Sequence, residues 1–303
     1  MTDVDVCVAT YRRSQWLGEL LVDLAAQDVL RPKPGMTPIA VRVIVVDNDP
    51  GESARAVVES HSSADLELVY LTQPQKNISL TRNRALDHSS APWVAFVDDD
   101  ERVPPRWLAS LLRCQQEHRA DVVFGPVRGR LDSDVPAWVR AAGLFQPRDL
   151  PTGTRLPFGG AGNALVRGEI VSAGWRFDAR YGLTGGEDTH LFHRLALDGR
   201  VLIWCREAEA SEHIPKSRAT WRWMMRRSYR SGQTYADIVE RPAGGWRRLR
   251  WMAKRSALAL GLLLITVGVL PLGRRYSVKV AAAAARNLGQ VSTLFNFRFN
   301  EYE

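Results

Sequence analysis

A short apolar run that ends in three consecutive aspartates constrains this chain more than any other feature of its sequence. The segment from Pro92 to Glu101 reads P-W-V-A-F-V-D-D-D-E. Its apolar and β-branched residues predict a buried strand, and the carboxylates after it repel one another unless a cation lies among them. Oxygen ligands of this kind suit Mg²⁺ or Mn²⁺. Because side chains alternate along a strand, we expect Asp98 and Asp100 to face one way and Asp99 the other, a D-x-D arrangement.

The same acidic stretch also has a purely structural interpretation. Pro104 and Pro105 follow it and are typical of the start of a helix. Acidic groups near a helix N-terminus interact favourably with the helix dipole. Taken alone, the triplet is therefore compatible with a capping turn that binds no metal.

Length and cysteine usage set the class of protein. A chain of 303 residues fits one large α/β domain with an appendage, since single cores rarely exceed about 250 to 300 residues. Cys7, Cys114 and Cys205 lie in apolar segments without metal-ligand spacing, which indicates buried reduced thiols. The first residues lack the charged and apolar pattern of a secretory signal, so we expect the cytoplasm.

Short apolar runs alternate with helical periodicity in the first half, which predicts a mostly parallel sheet flanked by helices. Strands are predicted at residues 4–10, 41–47, 66–71, 92–98, 121–125, 163–167 and 201–205. Ser14 is placed to cap the first helix, and residues 187–197 form another. Residues 131–160 contain prolines and little periodicity, which predicts a long functional loop.

The last third of the chain is basic and then apolar. Residues 216–255 contain twelve Lys or Arg against Asp237 and Glu240, so this segment carries +10 and the rest of the chain, with a total of +8, is slightly acidic. Eighteen uncharged residues then separate Arg255 from Arg274, slightly fewer than the roughly 20 that cross a bilayer. Flanking arginines and tryptophans indicate membrane association, and a buried core helix is the alternative. Residues 276–295 pair with this segment as a hairpin in our interpretation.

Several polar motifs follow predicted strands in one order along the chain. The first strand ends in A-T-Y-R-R, the second in V-D-N-D, a helix begins S-L-T-R-N-R at Ser79, the fourth strand ends in the triplet, and G-E-D opens a later helix at Gly186. Ligands of open parallel sheets bind outside the carboxyl ends of the strands. We therefore expect these motifs to converge on one crevice.

With these motifs over about residues 3–232, the chain resembles the family 2 glycosyltransferases, inverting enzymes of the GT-A fold, and in particular bacterial exopolysaccharide glycosyltransferases. The resemblance implies a nucleotide-sugar donor, most simply a UDP-sugar, a divalent cation, Mg²⁺ or Mn²⁺, and a lipid-linked saccharide acceptor. It implies the following roles: Thr10, Arg12, Asp47, Arg82, Asn83 and Asp98 in donor binding; Asp98, Asp100 and His213 in metal binding; and Asp188, with Glu187 beside it, in catalysis.

Two of these roles also have a chemical reason that does not depend on the resemblance. An acceptor hydroxyl must lose its proton as it attacks, so Asp188 would be the general base. A cation would neutralise charge on the departing nucleoside diphosphate.

Each of these roles also has a structural alternative. Glu187 and Asp188 also suit a plain helix N-terminus. His213 is equally compatible with a structural role, and Arg226, Arg227 and Arg230 suit phosphate or a solvated surface. The glycine-rich residues 158–163 lack the context of a dinucleotide motif and fit either a backbone approach to substrate or a turn.

These expectations divide the chain into three parts. Residues 1–215 form the catalytic GT-A domain, residues 216–245 a basic amphipathic helix and linker, and residues 246–303 an apolar membrane-associated hairpin. We expect the enzyme to act in polysaccharide or glycolipid synthesis at the cytoplasmic face of the cell membrane. There it would bind a membrane surface that contains anionic lipid, and it would not bind nucleic acid. A sugar nucleotidyltransferase is disfavoured because the loop after the first strand has no glycine. A non-catalytic membrane or nucleic-acid-binding protein that uses residues 216–255 is the remaining alternative.

Overall fold

The computed structural model describes residues 2–31, 37–62, 66–240 and 244–295. The chain divides into two compact units, one of Met1–Arg128 with Pro147–Glu212 and one of Gly129–Gln146 with His213–Glu303. Residues 241–243, in the predicted linker, and residues 296–303, in the predicted hairpin, lie outside the described residues. The three-part division of the sequence stays a prediction.

Ten strands and ten α-helices make up the described chain. The strands are β1 (Val4–Thr10), β2 (Val41–Asp47), β3 (Glu67–Thr72), β4 (Trp93–Val97), β5 (Glu101–Arg102), β6 (Val122–Phe124), β7 (Val127–Leu131), β8 (Asn163–Arg167), β9 (Leu202–Trp204) and β10 (Ala210–Ile214). The helices are α1 (Ser14–Ala25), α2 (Arg55–Ser60), α3 (Ile78–His88), α4 (Trp107–His118), α5 (Ala137–Ala142), α6 (Gly168–Ser172), α7 (Glu187–Leu197), α8 (Trp221–Tyr235), α9 (Gly245–Val269) and α10 (Arg274–Ser292).

A seven-stranded sheet in the order β3-β2-β1-β4-β8-β6-β9 forms the centre of the first unit. β1 pairs in parallel with β2 and β4, whereas β8 runs antiparallel to β4 and β6. The mostly parallel sheet predicted from the sequence is thereby confirmed. The antiparallel β8 matters for the site, because its first residue lies at the edge where its parallel neighbours end.

Apolar side chains cover both faces of this sheet. One face carries Leu17, Leu20, Leu21 and Leu24 of α1 and Trp107, Leu108 and Leu111 of α4, all buried. The other carries α3 and α7, with Phe96, Phe177, Phe124 and Phe192 meeting edge to face. Strands buried on both faces have the continuous apolar sequences typical of parallel sheets. The core therefore fixes the strand ends that hold the polar motifs.

Three sequence expectations differ from the structure, and one small sheet was not predicted. The aspartate triplet follows β4 in a turn rather than extending the strand, and the Glu101 N–H donates to the Asp98 carbonyl. Ser14 does not cap α1, because its hydroxyl donates to the Ser53 carbonyl. Residues 131–160 contain α5, and a three-stranded sheet, β5-β10-β7, was not predicted. Its strands are short and mostly polar, so they lack the apolar run by which strands are recognised.

The second unit contains four of the helices. α10 packs against α5, α8 and α9, and Val278 of α10 is buried with Val139 and Met224. Thr220 caps α8, since its hydroxyl accepts the Trp223 N–H. Within the described residues, the stretch Gly245–Leu272 is long and apolar enough to cross a membrane, and very little of it is buried.

Candidate active site

The polar motifs meet at one edge of the large sheet. β1, β2 and β4 are parallel neighbours, so Thr10, Asp47 and Asp98 stand at or just beyond the same edge. Val97 pairs with Asn163, the first residue of the antiparallel β8, so the glycine-rich segment before β8 also reaches this edge. The predicted convergence of strand ends is thus realised by three strands that end there and one that begins there.

Arg13 ties the end of β1 to the aspartate triplet. Its Nη1 donates to Asp99 Oδ1 over 2.9 Å and to Asp100 Oδ2 over 2.8 Å. The Thr10 hydroxyl donates to the other Asp99 oxygen over 2.8 Å. Arg12 takes a left-handed backbone conformation, φ 55°, which helps turn the chain out of β1 toward this contact. The two aspartates expected to diverge thus share one guanidinium, because the turn removes strand alternation.

Burial shifts the acid-base behaviour of this cluster. It raises the pKa of Asp99 to about 7, although Arg13 beside it acts in the opposite direction. Burial together with the charges of Asp98 and Asp100 raises the pKa of Glu101 well above its usual value. The raised pKa means that the Glu101 carboxyl holds its proton more readily than a free glutamate, which reduces the negative charge of the cluster.

Arg82 of α3 joins the triplet to the start of α7. Its Nη2 donates to Asp98 Oδ1 over 2.9 Å and its Nη1 to Glu187 Oε1 over 2.5 Å. The Arg82 and Glu187 side chains are almost fully buried, whereas that of Asp98 is 38% exposed. The planar guanidinium can hold two carboxylates at once because its donors point in fixed directions. Arg82 therefore fixes the distance between the motif after β4 and the E-D motif of α7.

Two glycines bring bare backbone against the carboxylates. A Cβ at Gly162 would lie 2.9 Å from Asp98 Oδ2 and 2.7 Å from Glu101 Oε1. A Cβ at Gly160 would lie 3.4 Å from Asp188 Oδ2. The segment that precedes β8 thus passes both Asp98 and Asp188 without side chains at these positions. The structure shows a turn at residues 161–162 whose backbone lies against the acidic residues, and its approach to a substrate stays a prediction.

Asp188 lies in the first turn of α7, with one carboxylate oxygen hydrogen-bonded and the other next to this glycine segment. Its Oδ1 accepts the Thr189 N–H over 2.6 Å, while Oδ2 faces Gly160. Gly185 and Gly186, at φ 77° and 100°, form the turn that starts the helix. Because only glycine adopts such angles at little cost, this turn fixes where Asp188 is presented. A half-buried carboxylate with one fixed oxygen suits a general base.

Asp47 and Asn48 organise the loops beside the site. Asp47 accepts the backbone N–H groups of Asp49 and Ala54 and the hydroxyl of Tyr70. The Asn48 amide donates to the carbonyls of Gln73 and Gln75, and its oxygen accepts the Asn77 N–H. The structure thus gives Asp47 a loop-holding role, and its contact with a donor stays a prediction.

Arg12 and Asn83 lie at the margins of the site. Arg12 is 65% exposed and pairs with Asp49, and this hydrogen bond lowers the pKa of the Asp49 carboxyl. The Asn83 amide donates to the Phe177 carbonyl and accepts the Phe177 N–H, so it fastens α3 to the segment that leads into α7. Donor contacts by these two residues stay predictions.

His213 is held in the second unit. Its Nε2 lies 2.7 Å from Asp132 Oδ1. The sequence predicted that His213 follows the last strand, whereas in the structure it lies within β10. Nowhere in residues 2–31, 37–62, 66–240 and 244–295 do three His, Cys, Asp or Glu side chains form a group ready to hold a metal. Metal binding by His213 stays a prediction.

Sequence reasoning missed several residues of the site. No role was predicted for Arg13, Asp99 or Glu101, which contact its carboxylates or hold them in place. Gly160 and Gly162 lie in the glycine-rich segment 158–163, which the sequence did single out, but their contacts with Asp188 and Asp98 were not predicted. Nothing in the local sequence distinguishes Arg13 from Arg12, since the choice depends on the turn after β1. The glycines carried a signal, because glycine just before a strand often marks close approach of backbone.

Three comparisons place this chain among known proteins. The model of the family described as glycosyl transferase family 2 matches residues 5–175. The succinoglycan biosynthesis protein ExoM of Rhizobium meliloti is 36% identical over 247 residues, which are 81% of this chain and 78% of ExoM. The poly(ribitol-phosphate) beta-N-acetylglucosaminyltransferase TarS of Staphylococcus aureus is 28% identical over 137 residues, 45% of this chain and 23% of TarS.

Solved structures give the same fold. The crystal structure of S. aureus TarS 1-349 superposes with a TM-score of 0.54 at 17% identity, covering 98% of this chain and 92% of that one. At this identity the likeness shows the fold alone. The family match and the similarity to ExoM over most of both chains go further, and they confirm the resemblance drawn from the motifs. The chain belongs to glycosyl transferase family 2 and is a glycosyltransferase.

Proposed function

We propose that this enzyme transfers one sugar from a nucleotide-sugar donor, most simply a UDP-sugar, to a lipid-linked saccharide acceptor, with inversion and with a divalent cation. The observation that supports it most is that the carboxylates of Asp98 and Asp188 both lie beside the glycine-rich segment before β8, at Gly162 and Gly160 respectively. A donor diphosphate beside Asp98 and an acceptor hydroxyl beside Asp188 would then meet along that segment. Relatives in succinoglycan and ribitol-phosphate polymer synthesis support an acceptor of saccharide or polymer type.

The donor proposal draws support from a structural relative. TarS has been crystallised with UDP and with UDP-GlcNAc. In this chain the edge formed by β1, β2 and β4 would take the nucleotide, with Thr10, Arg12, Asp47, Arg82 and Asn83 around it. Arg12 is the exposed arginine of this set: its side chain is 65% exposed, although it pairs with Asp49, and it would meet a phosphate or a base.

Asp98 and Asp100 are the residues that would hold a divalent cation. Both supply carboxylate oxygens, the ligands that Mg²⁺ and Mn²⁺ prefer. The Asp98 side chain is 38% exposed, and glycine at position 162 places no Cβ against its Oδ2, where one would lie at 2.9 Å. A bound cation would neutralise charge on the departing nucleoside diphosphate. Arg13, which pairs with both Asp99 and Asp100, would offset part of the negative charge of the cluster.

Asp188 would act as the general base in a single displacement. Its Oδ2 accepts the proton of the acceptor hydroxyl while the hydroxyl oxygen bonds to the anomeric carbon. The bond from that carbon to the diphosphate oxygen breaks, and its electron pair leaves with the nucleoside diphosphate. One displacement inverts the anomeric centre. Arg82 and Glu187 would keep the start of α7 in position during this step.

Membrane attachment through the second unit completes the proposal. α9 exposes large apolar side chains, and residues 216–255 are strongly basic. An exposed apolar surface beside basic residues suits a bilayer with anionic lipid. The proposed location is the cytoplasmic face of the cell membrane, where nucleotide sugars and lipid-linked acceptors would both be reached.

Thermal unfolding in the presence of nucleotide sugars tests the donor and the cation together. Ligands that bind the folded state raise its melting temperature by mass action. We expect one UDP-sugar to raise it, and the rise to depend on Mg²⁺ or Mn²⁺. The Asp100→Ala variant should lose the cation dependence, whereas Arg206→Ala, on an exposed side chain away from the triplet, should keep it. An unchanged donor response with and without cation in the unaltered protein would refute the metal proposal.

A further inference from the structure

The apolar helix α9 presents most of its circumference to the surroundings. Trp246 and Leu249 are exposed near its start. In its uncharged part the exposed large apolar side chains are Leu258, Leu260, Leu263, Leu264, Ile265 and Val267, followed by Leu270 and Leu272 in the turn beyond the helix. Only Ala259 and Thr266 of α9 are fully buried. A continuous apolar surface of this kind is not stable in water and indicates a partner or a membrane.

The buried side of α9 is a narrow stripe that meets α10. The less exposed positions are 248, 251, 252, 255, 259, 261, 262, 266 and 269, most of them three or four residues apart as in a helix-packing seam. Gly273, at φ 111°, makes the tight turn after residues 270–272, and α10 then packs back along α9. The two helices are therefore an antiparallel hairpin.

The opposite side of α10 packs against the protein, on α8 and α5. Gly232 of α8 and Gly289 of α10 let the two backbones touch, since a Cβ at Gly232 would come within 2.0 Å of the Arg286 carbonyl oxygen. Nearer its start, α10 packs on α5 through Val278. The arginines of α8 lie mostly on its exposed face, where Arg222, Arg226 and Arg227 are all exposed. α10 thus lies between an apolar helix and an arginine-rich one.

We infer that α9 lies in the plane of one leaflet, below the headgroups, and does not cross the bilayer. This inference rests on the membrane attachment in the proposed function. Its apolar part, the eighteen residues between Arg255 and Arg274, is about 27 Å long, close to the roughly 30 Å hydrocarbon thickness, so length alone permits crossing. The neighbours of α9 decide against it.

A crossing α9 would carry α10 into the hydrocarbon with it. Lys279 and Arg286 are exposed on α10, and charged side chains inside a bilayer are strongly disfavoured. Crossing would also place Arg274 and Arg275 on the far side. With α9 in the plane, these two arginines and the cluster at the start of α9, which includes Arg247, Arg250 and Lys254, all reach one anionic headgroup layer. α10 then shields α9 from water on its remaining side.

Chemical labelling of single cysteines in sealed membrane vesicles tests this arrangement in the full chain. Trp246→Cys and Tyr276→Cys place a thiol at each end of α9, both on exposed positions, and Glu59→Cys marks the side of the first unit. The native cysteines are buried and give little background. A membrane-impermeant maleimide is added before and after the vesicles are opened. We expect all three variants to react from the same side.

The outcomes separate this inference from the proposed attachment. If the Tyr276→Cys variant reacts only from the side opposite to Trp246→Cys, or from neither side of intact vesicles, α9 does not lie in one leaflet and the inference is wrong. Flotation with anionic liposomes tests attachment alone. A chain that fails to float would remove the membrane from the proposed function, and with it this inference, whereas donor binding and transfer would be unaffected.

Discussion

Replacing Arg82 by glutamine tests the connection between the aspartate triplet and α7. The Arg82 and Glu187 side chains are 8% and 5% exposed, so the variant leaves a buried carboxylate without its guanidinium. Removing one partner of a buried ion pair costs about 3 to 5 kcal/mol. The contact with Asp98 adds little, because that side chain is 38% exposed and solvent screens it. We therefore expect Arg82→Gln to remove a large part of the roughly 5 to 15 kcal/mol by which a domain is stable.

Urea unfolding, followed by circular dichroism, measures this loss. The double variant Arg82→Gln with Glu187→Gln should regain part of the stability, because no buried charge is then left uncompensated, and the interaction energy should reach about 1 to 3 kcal/mol. Arg12→Gln is the matched control, since Arg12 also pairs with an aspartate but is 65% exposed, and it should change stability little. Equal losses for Arg82→Gln and Arg12→Gln, or an interaction energy near zero, would refute the reasoning.

Three further perturbations have outcomes set by the structure. Burial raises the pKa of Asp99 to about 7, so between about pH 4 and pH 7 the folded chain keeps a proton that the unfolded chain releases. The free energy of unfolding, measured in urea titrations, should therefore fall as pH rises through this range. Asp99→Asn should make that fall smaller, and an equally steep fall in the variant would contradict the reasoning. Gly162→Ala, whose Cβ would lie 2.9 Å from Asp98 Oδ2, should weaken donor binding in calorimetry, whereas Gly160→Ala, at 3.4 Å from its nearest neighbour, should leave it nearly unchanged; equal affinities would contradict this. Gly232→Ala should lower the melting temperature, because its Cβ would overlap the Arg286 carbonyl, and an unchanged value would exclude the close helix contact.

The sequence predicted the elements with long apolar runs well. β1, β2, β8 and α7 begin and end at the predicted residues, since alternating or continuous apolar patterns define such elements locally. The β5-β10-β7 sheet could not be predicted in this way. β5 has two charged residues, and β10 reads A-S-E-H-I, so both depend on pairing with distant strands.

The sequence predicted which polar motifs meet at the site, but not which side chains contact one another there. The motifs after β1, β2 and β4 do meet at one edge, because parallel strands end together. Arg82 was expected to border the nucleotide, and the structure shows it between Asp98 and Glu187, a contact that joins residues far apart in sequence. The turn that gives Arg13 both Asp99 and Asp100 likewise depends on tertiary packing.

Sugar transfer by the Asp188→Asn variant tests the central claim most directly. Asparagine keeps the size of the side chain and its contact with the Thr189 N–H, but it cannot accept the proton of an acceptor hydroxyl. With a radiolabelled UDP-sugar and a lipid-linked acceptor, we predict unchanged donor affinity and a loss of at least about a hundredfold in turnover. Turnover equal to that of the unaltered enzyme would contradict the account.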